Sequence, residues 1–105
     1  MVIIYVLVNP LDNQPFYVGS TQGTLKDRMS MHLTNLFFTF KMSESVRRKV
    51  AIILGIQYAG MQPIIKPIFY CSKDVATNCE KAAYHLLLSK GYELHQLSNR
   101  FKVAR

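Results

Sequence analysis

The chain has 105 residues, half of them apolar and 18% charged, and its 13 Lys+Arg against 6 Asp+Glu give a net charge of +7. That length holds one domain with a single core and excludes a second, separate DNA-reading domain. The apolar content excludes a disordered chain, and the basic balance is the electrostatic footprint of a nucleic-acid binder.

The opening run, Val2 to Val8, is β-branched and aromatic. Asn9-Pro10-Leu11-Asp12-Asn13-Gln14-Pro15 is a turn cluster before strand character resumes over Phe16 to Gly19 and on to Thr21. These segments are predicted to form a hairpin. With its turn centred near Leu11, Tyr5 and Tyr17 are expected roughly opposite each other, on one face with Ile3 and Leu7. Thr24-Leu25-Lys26-Asp27 resembles a capping box, which predicts a helix from about Leu25 with Leu25, Met29, Leu33 and Leu36 on its buried stripe. Arg28 and His32, four residues apart, share a different face of that helix. Phe37, Phe38 and Phe40 read as core or helix end rather than as a base-stacking platform.

A second helix is predicted from Ser43, with Val46, Val50, Ile53 and Leu54 toward the core and Arg47, Arg48 and Lys49 supplying positive charge. Gly55 weakens it, and Gly60 or Pro63 stops it. Pro67 to Cys71 reads as a third strand, and Thr77 to Lys90 as a third helix closed by Gly91. The order β-β-α-α-β-α predicts one mixed α/β (α+β) domain over residues 1–105, a small three-stranded antiparallel sheet covered by helices. Cys71 and Cys79 lack zinc-site spacing and read as reduced thiols. The apolar runs Val2 to Val8 and Val50 to Ile56 are too short to span a bilayer, and no basic region precedes the first. A cytoplasmic protein without a membrane segment is expected.

Phosphodiester hydrolysis needs an activated water, groups that offset charge growing on the phosphorus oxygens, and usually a divalent cation. The chain offers a candidate for each. Arg28 presents rigid paired donors that keep their charge, Glu80 is a carboxylate of the kind magnesium takes alongside several waters, and His32 and the tyrosines are acid–base and positioning groups. Each also has a purely structural reading. Strand tyrosines commonly pack half-buried, and Arg28 and His32 fit an ordinary solvated helix face. Gly19 can simply end a strand, Ser20 and Thr21 can be turn residues, and His85 can pack on its helix. Thr77-Asn78-Cys79-Glu80 fits the T-x-x-E capping box, in which Glu80 only bonds the Thr77 amide.

Taken in order, Ile3-Ile4-Tyr5, Tyr17-Val18-Gly19, Arg28, His32 and Glu80 resemble the motifs of the GIY-YIG nucleases, and the resemblance runs from Ile3 to about Asn99. Two positions depart from the family pattern. Ile3 stands where the first glycine of the name would be, and the closing asparagine falls at Asn99, farther from Glu80 than usual, with His95 and Gln96 at the usual distance. The resemblance implies a stand-alone endonuclease domain that hydrolyses DNA with one divalent metal, Mg2+ or Mn2+, held by Glu80. It further implies that Arg28 binds the scissile phosphate, that Tyr5 takes the proton of the attacking water, and that Tyr17 and His32 orient or deprotonate their partners. Asn99 would close the site. Gly19, Ser20, Arg47, Arg48 and Lys49, with the tail residues Arg100, Lys102 and Arg105, are expected to meet the DNA backbone.

The phenol poses a physical difficulty: it titrates near 10, so bringing it toward 7 requires about 4 kcal/mol of preferential phenolate stabilisation. A divalent cation, Arg28 and a nearby basic residue are the expected sources. The alternative from another class is a non-catalytic nucleic-acid-binding module on the same scaffold, and a third reading is a basic protein-interaction domain.

Overall fold

A β-hairpin starts the fold. In a computed structural model, which describes residues 1–34 and 44–94, strand β1 (Val2–Asn9) turns back into β2 (Gln14–Thr21). The turn is closed by the Asn13 amide on the Asn9 carbonyl, with Asn9 and Asp12 side chains accepting from the backbone of Leu11 and Gln14. Asn13 has φ 59°, a left-handed conformation that asparagine tolerates better than most residues. Helix α1 (Leu25–Thr34), helix α2 (Glu44–Tyr58), strand β3 (Ile64–Cys71), a single 3-10 turn at Lys73–Val75 and helix α3 (Ala76–Ser89) follow. The order β-β-α-α-β-α and the mixed α/β architecture are those expected from the sequence.

The three strands form one antiparallel sheet in the order β2-β1-β3. The central position of β1 explains its unbroken apolar run, because both of its faces are covered. Val2, Ile4, Val6, Val8 and Val18 pack on one face against Ala83, Tyr84 and Leu87 of α3. Tyr5, Leu7 and Tyr17 pack on the other against Leu25, Met29 and Leu33 of α1 and Ile53 and Ile56 of α2. None of the helices among the described residues is long and apolar enough to cross a membrane.

The register corrects one expectation. Tyr5 pairs with Gly19, and Tyr17 pairs with Leu7, so the tyrosines are diagonal neighbours on the shared face rather than opposite each other. The turn is centred between Leu11 and Asp12, which shifts the pairing by one residue, and a bulge between Leu7 and Val8 shifts it by one more. β3 begins at Ile64, three residues before the expected Pro67. Pro67 is tolerated because β3 lies at the sheet edge, with a second register shift beside it.

The helices follow their local signals with three differences. Thr24 caps α1 through an Asp27 N–H to Thr24 Oγ1 bond of 3.1 Å, as expected. In α2, Leu54 points outward and Ile56 is fully buried beside Ile53. Gly55 is interior to this helix, with open space around it. Its cost of about 1 kcal/mol against alanine is outweighed by the burial of Ile53 and Ile56.

Gly60, at φ 80°, ends α2 in a Schellman arrangement, the Gly60 amide on the Gln57 carbonyl and the Met61 amide on the Ile56 carbonyl. Finally, α3 starts at Ala76 after Val75, with no side-chain cap. Thr77 therefore lies inside the helix, and the T-x-x-E capping reading of Glu80 does not hold. Leu36, Phe37, Phe38, Phe40 and Ser43 lie outside the described residues.

Candidate active site

The hairpin register makes the site. Tyr5 is fully buried on β1, and its partner across the strand pair is Gly19. A Cβ at Gly19 would sit 2.5 Å from the Tyr5 hydroxyl and 2.9 Å from the Tyr17 ring. Any other residue would push the two phenols apart, so the glycine is required by the space the tyrosines occupy. Their ring centroids lie 6.3 Å apart.

Helix α1 supplies the next layer. Arg28 and His32 turn toward the sheet beside the apolar stripe of Leu25, Met29 and Leu33, and His32 is the buried residue of this helix. The Tyr5 hydroxyl meets His32 Nε2 at 2.8 Å and accepts from Arg28 Nε at 3.0 Å. The His32 ring stands edge-on to both tyrosines. The charge of Arg28 also acts on Tyr17, so a single guanidinium influences both phenols.

Lys49 completes the cluster from α2. It is only 6% exposed, its Nζ lies 3.2 Å from His32 Nδ1, and it sits over the Tyr17 ring at 5.1 Å. A charged lysine can only donate, so His32 Nδ1 accepts from it. The ring proton is then on Nε2, which donates to Tyr5. In that state the Tyr5 oxygen receives two N–H donors and its own proton is free to point elsewhere. Glu80, 5% exposed on α3, stands near enough for its charge to act on both tyrosines.

The electrostatics follow from burial. Desolvation raises the Tyr5 pKa above its ordinary 10, and the hydrogen bond and charge of Arg28 only partly offset this. Tyr17 is raised further by burial and by the neighbouring Tyr5. Burial, then the charges of Lys49 and Arg28, lower His32 to about 3, so its imidazole is neutral at neutral pH. Burial and then Arg28 lower Lys49 to about 8. The phenol is thus harder to ionise here than in water, the reverse of what a pre-formed phenolate base requires.

No family model, curated protein or solved structure matches the chain. The geometry alone therefore relates the chosen residues to one another. It brings together Tyr5, Tyr17, Arg28 and His32, with Glu80 alongside; Asn99, His95, Gln96, Arg100, Lys102 and Arg105 lie outside the described residues.

Two positions expected to contact nucleic acid turn inward instead. Gly19 is buried between the tyrosines, and Lys49 belongs to the buried cluster because consecutive helical residues point about 100° apart. Of the same basic run, Arg47 is exposed, and Arg48 pairs with Glu44 at 2.7 Å and with Glu93 at 3.7 Å. Ser20 lines an open polar cavity of about 270 Å³ with Thr21, Gln22, Lys73 and Thr77.

The inward turn of Lys49 left a trace in the sequence. Val46, Lys49, Ile53 and Ile56 follow the three-and-four spacing of a buried helix stripe, but a lysine within an Arg-Arg-Lys run reads first as surface charge. Among the described residues no group of three or more His, Cys, Asp or Glu side chains could hold a metal ion. Among the described residues, the carboxylate nearest the cluster is that of Glu80.

Proposed function

We propose that the chain is a metal-dependent endonuclease that hydrolyses DNA phosphodiester bonds, as the resemblance to the GIY-YIG nucleases implies. The observation that carries this reading is the convergence of Arg28 and His32 on one buried phenol oxygen, beside a glycine whose missing side chain makes the room. One partner would satisfy a buried packing tyrosine, and here two basic side chains meet the same oxygen. Arg28 binds the scissile phosphate and offsets the charge that grows on its oxygens, and Tyr5 takes the proton of the attacking water. Tyr17 and His32 hold these groups in place.

Glu80 fits a magnesium or manganese ion that keeps most of its own waters, since such ions accept a single protein carboxylate. When bound, the ion supplies Lewis-acid stabilisation of the phosphate and leaving oxygens. Substrate binding rests on exposed basic residues such as Arg47, so affinity should fall steeply with salt and depend little on sequence. We assign the protein to the cytoplasm, reading the unbridged Cys71 and Cys79 as reduced thiols.

The test is incubation of supercoiled plasmid with the purified protein, with and without magnesium or manganese. Nicked or linear plasmid only in the presence of metal is expected. Salt-sensitive binding with no cutting under either metal would favour the non-catalytic binding module.

A further inference from the structure

We propose that Lys49 is the terminal proton acceptor of the site, drawing the attacking water's proton along the chain Tyr5–His32–Lys49 so that the phenol acts as a base without ionising. This rests on the hydrolytic reading above and deepens it. The chain is continuous: Tyr5 oxygen to His32 Nε2 is 2.8 Å, and His32 Nδ1 to Lys49 Nζ is 3.2 Å, with all three residues buried.

Two proton arrangements satisfy these contacts. With Lys49 as ammonium, it donates to His32 Nδ1, and Nε2–H donates to Tyr5. With Lys49 as amine, Nδ1–H donates to Lys49, and the Tyr5 hydroxyl donates to Nε2. The two differ by one proton, and the second is the reactive form. In it, the Tyr5 oxygen accepts from Arg28 and keeps a lone pair for the water.

The step balances as follows. The water O–H bond breaks and its proton joins the Tyr5 oxygen while the oxygen attacks phosphorus. The phenol proton passes to His32 Nε2, and the Nδ1 proton passes to Lys49 Nζ, which becomes ammonium. The leaving alkoxide takes a proton from solvent and Lys49 later returns one, so water is the only reagent consumed.

The surroundings suit this role. Facing the Lys49 nitrogen are the Tyr17 ring from β2 and His32 from α1, with Arg28 of α1 acting on it through its charge, Tyr5 of β1 beyond His32, and Glu80 of α3 beside the tyrosines. On its own helix, Arg47 and Arg48 point to the surface. Burial and Arg28 both favour the amine and bring Lys49 to about 8, where a general base works best near neutral pH. A phenol raised by burial and a histidine at about 3 are each poor terminal bases. As relays between water and an amine, they need never carry charge.

The test starts with nitrogen-15 NMR of His32 in the protein free of DNA and metal. As pH rises through about 8, the ring should change from the Nε2–H to the Nδ1–H tautomer. A single tautomer from pH 6.5 to pH 9.5 would overturn the proposal, whether or not the protein cuts DNA. In single-turnover cleavage, Lys49→Arg retains a donor and a charge but cannot be discharged. It should fall on the order of a hundredfold or more with DNA binding intact, and the wild-type rise of rate up to pH 8 should flatten. Lys49→Met should do the same, and cutting by folded Lys49→Arg at the wild-type rate and pH profile would also overturn the relay. A wild-type protein that switches tautomer but never cuts would refute the nuclease reading and leave the proton chain standing.

Discussion

The two faces of the sheet are built on opposite plans. The face under α3 presents Val2, Ile4, Val6, Val8 and Val18, side chains that need only be apolar and fill space. The face under α1 and α2 buries two phenols, an imidazole and an amine among Leu7, Ile53 and Ile56. Burying polar groups costs stability unless each finds a partner, and a neutral aliphatic layer was available, as the first face demonstrates. The polar face is therefore the one where folding alone does not explain the residues. One strand serves both plans: even-numbered positions of β1 hold the core, and Tyr5 enters the site.

The largest effect expected from breaking this contrast is at Glu80. Glu80→Ala should abolish metal-dependent cleavage and collapse metal binding measured by calorimetry, while DNA binding without metal survives. Cutting that persists in the folded variant would remove Glu80 from the site.

Arg28→Lys keeps the charge and loses the planar fork whose Nε holds the Tyr5 oxygen. Single-turnover cleavage should slow by roughly a hundredfold with little change in DNA affinity. A variant as fast as the wild type would make Arg28 a structural partner of Tyr5 and nothing more.

On the aliphatic face the expectation reverses. Ile4→Ala removes a fully buried side chain and should cost about 2–5 kcal/mol in urea unfolding. Its cleavage rate per folded molecule should equal that of the wild type, and a large loss of rate would mean that the faces are not separable.

The pH dependence of stability sharpens the same division. His32, lowered from 6.5 to about 3, stays neutral in the fold while the unfolded chain takes up a proton. Stability is then present above pH 6.5 and lost as pH falls toward 3, by an amount on the order of 4 kcal/mol. Lys49, lowered from 10.5 to about 8, releases its proton first in the fold, so stability should rise between pH 8 and 10. Above pH 10 the raised phenols of Tyr5 and Tyr17 oppose that rise, since only the unfolded chain ionises there. Urea midpoints across this range should show both limbs, with the alkaline limb absent in Lys49→Met and the acid loss reduced in His32→Gln. Unchanged limbs in these variants would contradict the burial of the two groups.

Much of the fold could be read from the sequence because its signals are local. The β-branched run of β1, the Asn-Pro-Leu-Asp-Asn turn and the Thr24 cap each act within a few residues. The register was less plainly marked. A bulge at Leu7–Val8 places Tyr5 opposite Gly19, and its local mark is Pro15, which pairs with Val8 beside it.

Ile56 and Lys49 were missed for related reasons. Gly55 suggested a failing helix, and Arg47-Arg48-Lys49 suggested a single solvated patch, although a helix turns the third of these inward. The site residues are legible in their order along the chain, and Tyr5, Arg28 and His32 do meet. The charge state of the cluster was not legible, since burial depends on what α2 lays over it.

The central claim, that the polar face hydrolyses phosphodiesters with Tyr5 as the base, is tested most directly by cleavage of a duplex in oxygen-18 water by the wild type and by Tyr5→Phe. The wild type should cut with metal and place one heavy oxygen on each new terminal phosphate. Tyr5→Phe, with its ring and fold kept, should slow by about a hundredfold or more. A folded wild-type protein that cuts with neither metal, a Tyr5→Phe variant that cuts at the full rate, or a product joined covalently to a tyrosine would contradict the account.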